Sequence, residues 1–484
     1  MKTKLNLQTK LNLQTKLKPT LNLAIYTALL ALSGAACSAY AEEAPAIEDE
    51  YTFMDSVKEG KNLTSFRLRY ETVSQDGLAV APVANKQLKD AEALTLRSLV
   101  GWQTAPYHNF SFAGQLIGVT KFIDNYNDRK GNTTEIDKAG YAIIVDPNHF
   151  DINQLYVDWT GVKNTRVRLG RQQLNLDNVR FIGDIAYRQV MQVFDGASVL
   201  NKSIPDTEVF LAHFEQVTQI TTKQRDGDLE IANVRYRISP TEFLVGYAYL
   251  SNMDDLGFGN AWFGAGALNN AGKPNLTADQ SNKTFGLRLD GTHPFNPNFR
   301  AHYTAEYAKQ SDYADGDKRI DAHYYRLGGG LGFDNFNMRI DQELLSSNDS
   351  KYAFQTPYGT NHLFQGWVDK FLATPRSGIQ DTFVTATYKY EDFLFFADYH
   401  FIKSDEDFNT VGGGATTNGN KYGTEWNVAA TWNIDKNWMT KLEYGKFSES
   451  DNYAATPNVA NTVAGNRGRI RDTDKLWLTA MYTF

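Results

Sequence analysis

Between Val167 and Gly196 the chain reads VRLGRQQLNLDNVRFIGDIAYRQVMQVFDG, in which arginines stand among Asp177, Asp184 and the amides of Gln172, Gln173, Asn175 and Asn178. Guanidinium forks, carboxylates and amides at this density make ion pairs and charge-assisted hydrogen bonds over short range. They do not make a catalytic centre. No nucleophile elbow or Ser/His/Asp arrangement can be read from the spacing, and His213, His302, His323, His362 and His400 stand apart, without metal-ligand spacing. The chemistry on offer is the fixing and recognition of charge. The segment lies between two short strand-like stretches, which raises the question of what fold carries it there.

The N-terminus points to export. Lys2, Lys4, Lys10, Lys16 and Lys18 precede an apolar run from Leu21 to Leu32, followed by small residues and Ala39-Tyr40-Ala41. This predicts a signal peptide over 1–41, cut after Ala41, with the duplicated KLNLQT inside it. Cys37 leaves with it, so disulfides, thiolate catalysis and Cys metal sites are excluded from the 443 residues that remain. Five lysines and no acids are lost, taking the formal charge from -7 to -12, which argues against nucleic acid as a partner. Residues 42–60 are acidic, suited to a short helix or loose periplasmic arm, and too few for the plug of an energised receptor.

From residue 61 to 484 the pattern is period two. In DKLWLTAMYTF, Leu476, Leu478, Ala480, Tyr482 and Phe484 share one face, and Lys475, Trp477, Thr479, Met481 and Thr483 the other. KYGTEWNVAATWN and the stretch from Phe299 to Tyr307 alternate in the same way. Several such runs reach ten to fourteen residues, longer than the strands of a soluble sandwich and matched to a tilted crossing of a membrane. The links alternate too. GVK, SPT, GGG, IDKN and GTHPFNP read as short turns, whereas 122–151, 172–188, 252–280, 345–377, 404–420 and 449–469 read as long loops. The expectation is an all-β fold, an antiparallel transmembrane barrel of about eighteen strands, closed so that no edge is left free.

Alternation also sorts the charges. Val167 and Leu169 face lipid, so Arg168 and Gly170 face the lumen, as Tyr156 and Asp158 do in the preceding strand. By the same test Arg67, Arg69, Arg97, Arg235, Arg237, Arg288, Arg300 and Arg339 point inward, with Asp290, Glu306, Asp341, Glu343, Glu425 and Glu443. Two readings stay open for this set: a ladder of wall-stabilising ion pairs, or unpaired arginines that form a path for anions.

The stretch from Arg168 to Gly196 resembles the signature of the alginate-export family of outer-membrane porins. FQTPYGTNHLFQGWVDKFLATPRSGIQD, from Phe354 to Asp381, resembles that family's other recurrent segment. The resemblance implies a monomeric eighteen-stranded barrel with inward loops and an arginine-lined constriction. It places Arg171, Asp177, Arg180, Arg188, Gln192 and Asp195 in the first motif and His362, Trp367, Asp369 and Lys370 in the second.

The reading is therefore a cell outer-membrane channel, with no cofactor or metal, for passive passage of anionic or polyhydroxylated solutes such as uronates or acidic oligosaccharides. A porin for small neutral or aromatic compounds is the alternative. The partners implied are outer-membrane lipid and lipopolysaccharide, the barrel-insertion machinery acting on the C-terminal strand, and the solute itself.

Overall fold

The computed structural model describes residues 51–77, 87–253, 279–407, 420–450 and 471–484. The expected signal peptide lies outside these residues, as do most of loops 252–280, 404–420 and 449–469. From the acidic segment, Phe53–Lys58 forms one short helix opened by a capping box between Thr52 and Asp55. The indole of Trp102 donates to Val57 O at 2.8 Å and fixes that helix to the barrel rim.

Eighteen long strands follow among the described residues. They are β1 Ser65–Gln75, β2 Ala91–Gln103, β3 Phe110–Asn125, β4 His149–Trp159, β5 Thr165–Gln172 and β6 Val193–Asn201. Next come β7 Thr207–Thr218, β8 Gln224–Ser239, β9 Glu242–Met253, β10 Asn282–Asn296, β11 Phe299–Asp312 and β12 Asp321–Phe333. The last are β13 Phe336–Leu345, β14 Ile379–Tyr390, β15 Phe393–Lys403, β16 Lys421–Asn433, β17 Trp438–Glu449 and β18 Thr473–Thr483. Each pairs antiparallel with the next, and β1 pairs with β18 from Ser65↔Thr483 to Gln75↔Thr473, closing the sheet. No described helix is long and apolar enough to cross a membrane; the crossings are strands.

The alternation holds in space. On β8, Val234, Tyr236 and Ile238 are exposed on the outside while Asn233 is buried on the lumen side. Leu327, Leu331, Met338, Ile340, Leu287 and Leu478 continue the outer apolar band. Exposed Trp102, Phe333, Phe336, Tyr388, Tyr390, Trp432, Trp438 and Phe484 gather near the short-turn ends of their strands, as an interfacial aromatic girdle requires.

Two expected turns are corrected. Gly328, Gly329 and Gly330 lie inside β12, where Gly328 and Gly330 pair with Asp341 and Arg339; the turn is at 334–335. Gly291 to Asn296 likewise belong to β10, and the turn is at 297–298. In both cases cross-strand pairing continues the ladder through residues whose propensity alone suggests a turn. β6 also begins at Val193, four residues later than its apolar pattern suggests, because Gln189 to Gln192 stay with the loop before it.

Candidate functional site

The loops 173–192 and 346–378 fold inward and bind each other. Ile182 bridges Tyr358, the amide of Gly183 donates to Tyr358 O at 2.8 Å, and that of Thr360 donates to Val179 O at 2.9 Å. Gln192 Nε2 donates to Gly183 O and Tyr358 O at 2.8 and 3.0 Å. Buried Arg180 reaches across: its Nη groups donate to Asn361 and Gln365, each at 3.1 Å. Its Nε forms an ion pair with Glu343 Oε1 at 2.8 Å, off the hydrogen-bond axis.

The barrel wall receives these loops on an aromatic row. Cross-strand neighbours from β5 to β13 place Arg166, Leu200, Phe210, Asn233, Tyr247, Gly286, Ala308, Tyr324 and Leu345 in one register. Phe181 packs 5.3 Å from Tyr247, 5.2 Å from Tyr324 and 5.9 Å from Phe354 of the other loop. Side chains of this size contribute roughly 1.5–3 kcal/mol each when buried, so the loops are anchored by a shared core. One row nearer the short turns, Glu208, Arg235, Val245, Arg288, Glu306, Arg326, Glu343 and Asp381 stand in register. Because barrel strands tilt, this row climbs around the wall as a helical band of charge under the loops.

On the opposite wall, Arg188 is the centre of a buried network. It contacts Glu71 Oε2 at 3.0 Å and Asp369 Oδ2 at 3.1 Å, with Asp146 Oδ2 at 3.7 Å. Asp369 also receives Lys475 Nζ at 2.8 Å and lies 2.8 Å from His362 Nδ1. Burial pushes the Asp369 carboxyl up, but Lys475, His362 and Arg188 together hold it well below the usual carboxylate range. Burial lowers His362, so a neutral ring donates from Nδ1 to an ionised Asp369. Its ring stacks on Tyr187, centroids 3.3 Å apart. Burial, with Lys475 nearby, also drives the Lys370 amine well below its ordinary value; its Nζ donates to Gln75 Oε1 at 3.1 Å. Trp367 stacks on Phe396 at 4.7 Å, packed against the wall.

Gly366 has φ 89°, and a Cβ there would collide with the Glu425 carboxylate, whose Oε1 accepts from the Val368 amide at 2.8 Å. Glycine is the residue that permits both the left-handed turn and this close approach.

Arg67, Arg69 and Arg97 belong neither to a carboxylate ladder nor to open lumen. All three are buried, and they bind the backbone carbonyls of the inward loop. Arg67 donates to Ala186 O at 2.7 Å and to Arg188 O, Arg69 to Tyr187 O at 2.6 Å, and Arg97 to Ala186 O at 3.2 Å. Other arginines are paired. Arg168 binds Asp158 through both prongs at 2.7 and 2.8 Å, and Arg339 binds Asp341 twice at 2.6 Å. Arg288 pairs with Asp290 at 3.0 Å. Arg300 donates to Asn337 Oδ1 at 2.6 Å and to Asp334 O at 3.1 Å. Asp177 is exposed and accepts from Asn233 at 2.7 Å.

Arg171, Asp195 and Arg237 sit away from the inward loops. β5 runs on through Gln172, so Arg171 shares the outer face of Val167 and Leu169, and it pairs there with Asp195 at 2.8 Å. Arg237 is half-exposed at the short-turn rim, paired with Asp206. Sequence reasoning passed over Arg166, Arg326, Asp146 and Tyr187. Period two marks Arg166 and Arg326 as inward, whereas nothing local marks Asp146 or Tyr187, whose roles arise from packing between loops.

The family model described as alginate export matches residues 127–466. No curated protein sequence matches the chain. Among solved structures, Acinetobacter baumannii OccAB2 superposes with a TM-score of 0.61 at 12% identity, covering 89% of this chain and 98% of that one. Pseudomonas aeruginosa OpdQ gives 0.59 at 13%, covering 89% and 99%. Pseudomonas aeruginosa OpdK, crystallised with vanillate, gives 0.57 at 12%, covering 88% and 98%. At such identities the likeness is one of fold.

Proposed function

The chain belongs to the alginate-export family and is an outer-membrane β-barrel of porin type; from that premise we propose that it passes anionic or polyhydroxylated solutes, uronates or acidic oligosaccharides among them, passively and without catalysis. The observation that carries this reading is the charge left over on the lumen side. Arg166, Arg235 and Arg300 point inward and are only half-buried, and among the described residues they make no ion pair. Arg67, Arg69 and Arg97 add positive charge that carbonyl dipoles solvate but do not cancel. Fixed positive charge in a low-dielectric channel lowers the entry barrier for anions and raises it for cations.

The barrel works as a monomer in this reading, surrounded by lipid and lipopolysaccharide, with Phe484 and Tyr482 offered to the insertion machinery. A channel for small neutral or aromatic compounds is the second reading, favoured by inward rings such as Tyr156, Phe243 and Phe383. Reversal potentials across a salt gradient in planar bilayers separate the two. Anion preference that falls in an Arg166→Ala, Arg235→Ala double variant supports the first; cation preference unchanged by those substitutions would sink it and leave the barrel intact.

A further inference from the structure

The short helix before the barrel lies on the lipid side of the wall. Trp102 and Phe112 are exposed on the outer face, since Trp102 pairs with Gly114 while the adjacent Gly101 pairs with inward, buried Gln115. The Trp102 indole donates to Val57 O at 2.8 Å, and Phe53 meets Phe112 edge-on at 6.2 Å and Tyr107 at 5.9 Å. Ser56 is the buried residue of the helix, and its Oγ donates to Ala105 O at 2.7 Å in the turn after β2. Lys61 and Asn62 then pair with Gln103 and Trp102 and lead the chain into β1. At about 100° per residue, Phe53, Val57 and Met54 share one arc of the helix, and Lys58, Asp55 and Glu59 the next. Phe53 and Met54 are 47% and 59% exposed. Tyr51 is exposed beside them, and its hydroxyl donates to Glu59 Oε2 at 3.1 Å, which turns its polar end to the charged arc.

We propose that the Phe53–Lys58 helix is an interfacial foot, its arc of Phe53, Met54 and Val57 lying among phospholipid acyl chains at the headgroup boundary of the periplasmic leaflet. The foot stands whichever solute passes the pore. Continuity of surface carries it: Trp102, Phe110 and Phe112 are exposed on the same outer face at the short-turn end, so the lipid that covers them reaches the helix they hold. An apolar arc beside a charged one, with a tyrosine between them, is the pattern of a helix lying in a membrane surface. Three side chains cannot supply the roughly 800 Å² per partner that a stable protein interface needs, which disfavours a second protein as the occupant. A six-residue helix is too short to form alone. Here the capping box of Thr52 and Asp55, the bond from Trp102 and the covalent link to β1 hold it folded at the surface, so little freedom remains to be lost on meeting lipid. The charge of residues 42–60 suggests a periplasmic arm; the apolar arc assigns this part of it to the membrane instead.

The test is spin-label accessibility in the whole barrel, reconstituted in vesicles of phosphatidylethanolamine and phosphatidylglycerol. Cys37 is the one native cysteine and is replaced by serine, and a nitroxide is placed through Met54→Cys or, on the charged arc, through Lys58→Cys. Both positions are exposed, so neither label disturbs packing. Oxygen, which concentrates in the bilayer, is expected to relax the label at 54 more than the label at 58. Chromium oxalate, a charged chelate excluded from acyl chains, is expected to relax it roughly tenfold less. Equal relaxation by the chelate at both positions would place the helix in periplasmic water and overturn the foot. Dipolar broadening of the label at 54, relieved when the labelled barrel is diluted with unlabelled protein, would assign the arc to a second copy and overturn it as well.

Discussion

Replacement of Arg188 by methionine tests the idea that charge pairing locks the inward loop. The substitution keeps an unbranched apolar stem and removes the fork. Asp369 retains Lys475 and His362, each at 2.8 Å, and Asp146 retains the Gln189 amide at 2.9 Å. Glu71, 1% exposed, loses both of its bonds to Arg188, at 3.0 and 3.2 Å. An uncompensated carboxylate buried in this way costs about 3–5 kcal/mol. That cost falls on the loop conformation, because the carbonyls of residues 186–188 also hold Arg67, Arg69 and Arg97. At about 1.4 kcal/mol per tenfold, the open fraction of the loop rises roughly a hundred- to several-thousandfold. Protease cleavage within 173–192, measured on the folded barrel in detergent, reads that fraction. Adding Glu71→Leu removes the stranded charge and should recover at least about 2 kcal/mol as coupling. Cleavage of Arg188→Met within tenfold of the native rate, or no coupling with Glu71→Leu, would refute the lock.

Other expectations concern the same loops and the barrel seam. Gly366→Ala forces a β-carbon into a left-handed turn against Glu425 and should destabilise the second loop by about 1–2 kcal/mol, read as faster cleavage near Trp367. Asp369 has its folded pKa depressed, so its contribution is present above the unfolded value of about 3.9 and is lost as pH falls through the lower folded value. Loop protection and current noise should therefore hold from neutral pH to about 4.5, as far as this group is concerned, and loosen only in stronger acid; loosening near pH 6 would argue that another group governs the lock. Deleting Phe484, which packs edge-on against Tyr482 at 4.8 Å and Phe66 at 6.1 Å, should lower the yield of inserted barrel in cells more than the unfolding midpoint of what inserts.

The barrel was legible in the sequence because its rule is local. A wall with lipid on one side and water on the other imposes period two on every strand, and Leu476 to Phe484 carry that signal without help from any distant residue. Inward arginines such as Arg168 and Arg235 follow from the same parity, as does the outward place of Arg171 once β5 is seen to reach Gln172. Glycine propensity misled where pairing overrode it, at Gly328 to Gly330, since β11 and β13 fix that stretch as strand from both sides. What parity cannot give is the partner of a charge. Whether Arg188 faces solute or Glu71, and whether Arg67 meets a carboxylate or a loop carbonyl, depends on two loops far apart in sequence that meet in the lumen. Sequence set which way each side chain points; tertiary packing decided which forks are filled, because filling a fork takes a second group brought within about 3 Å by chain that local pattern does not encode.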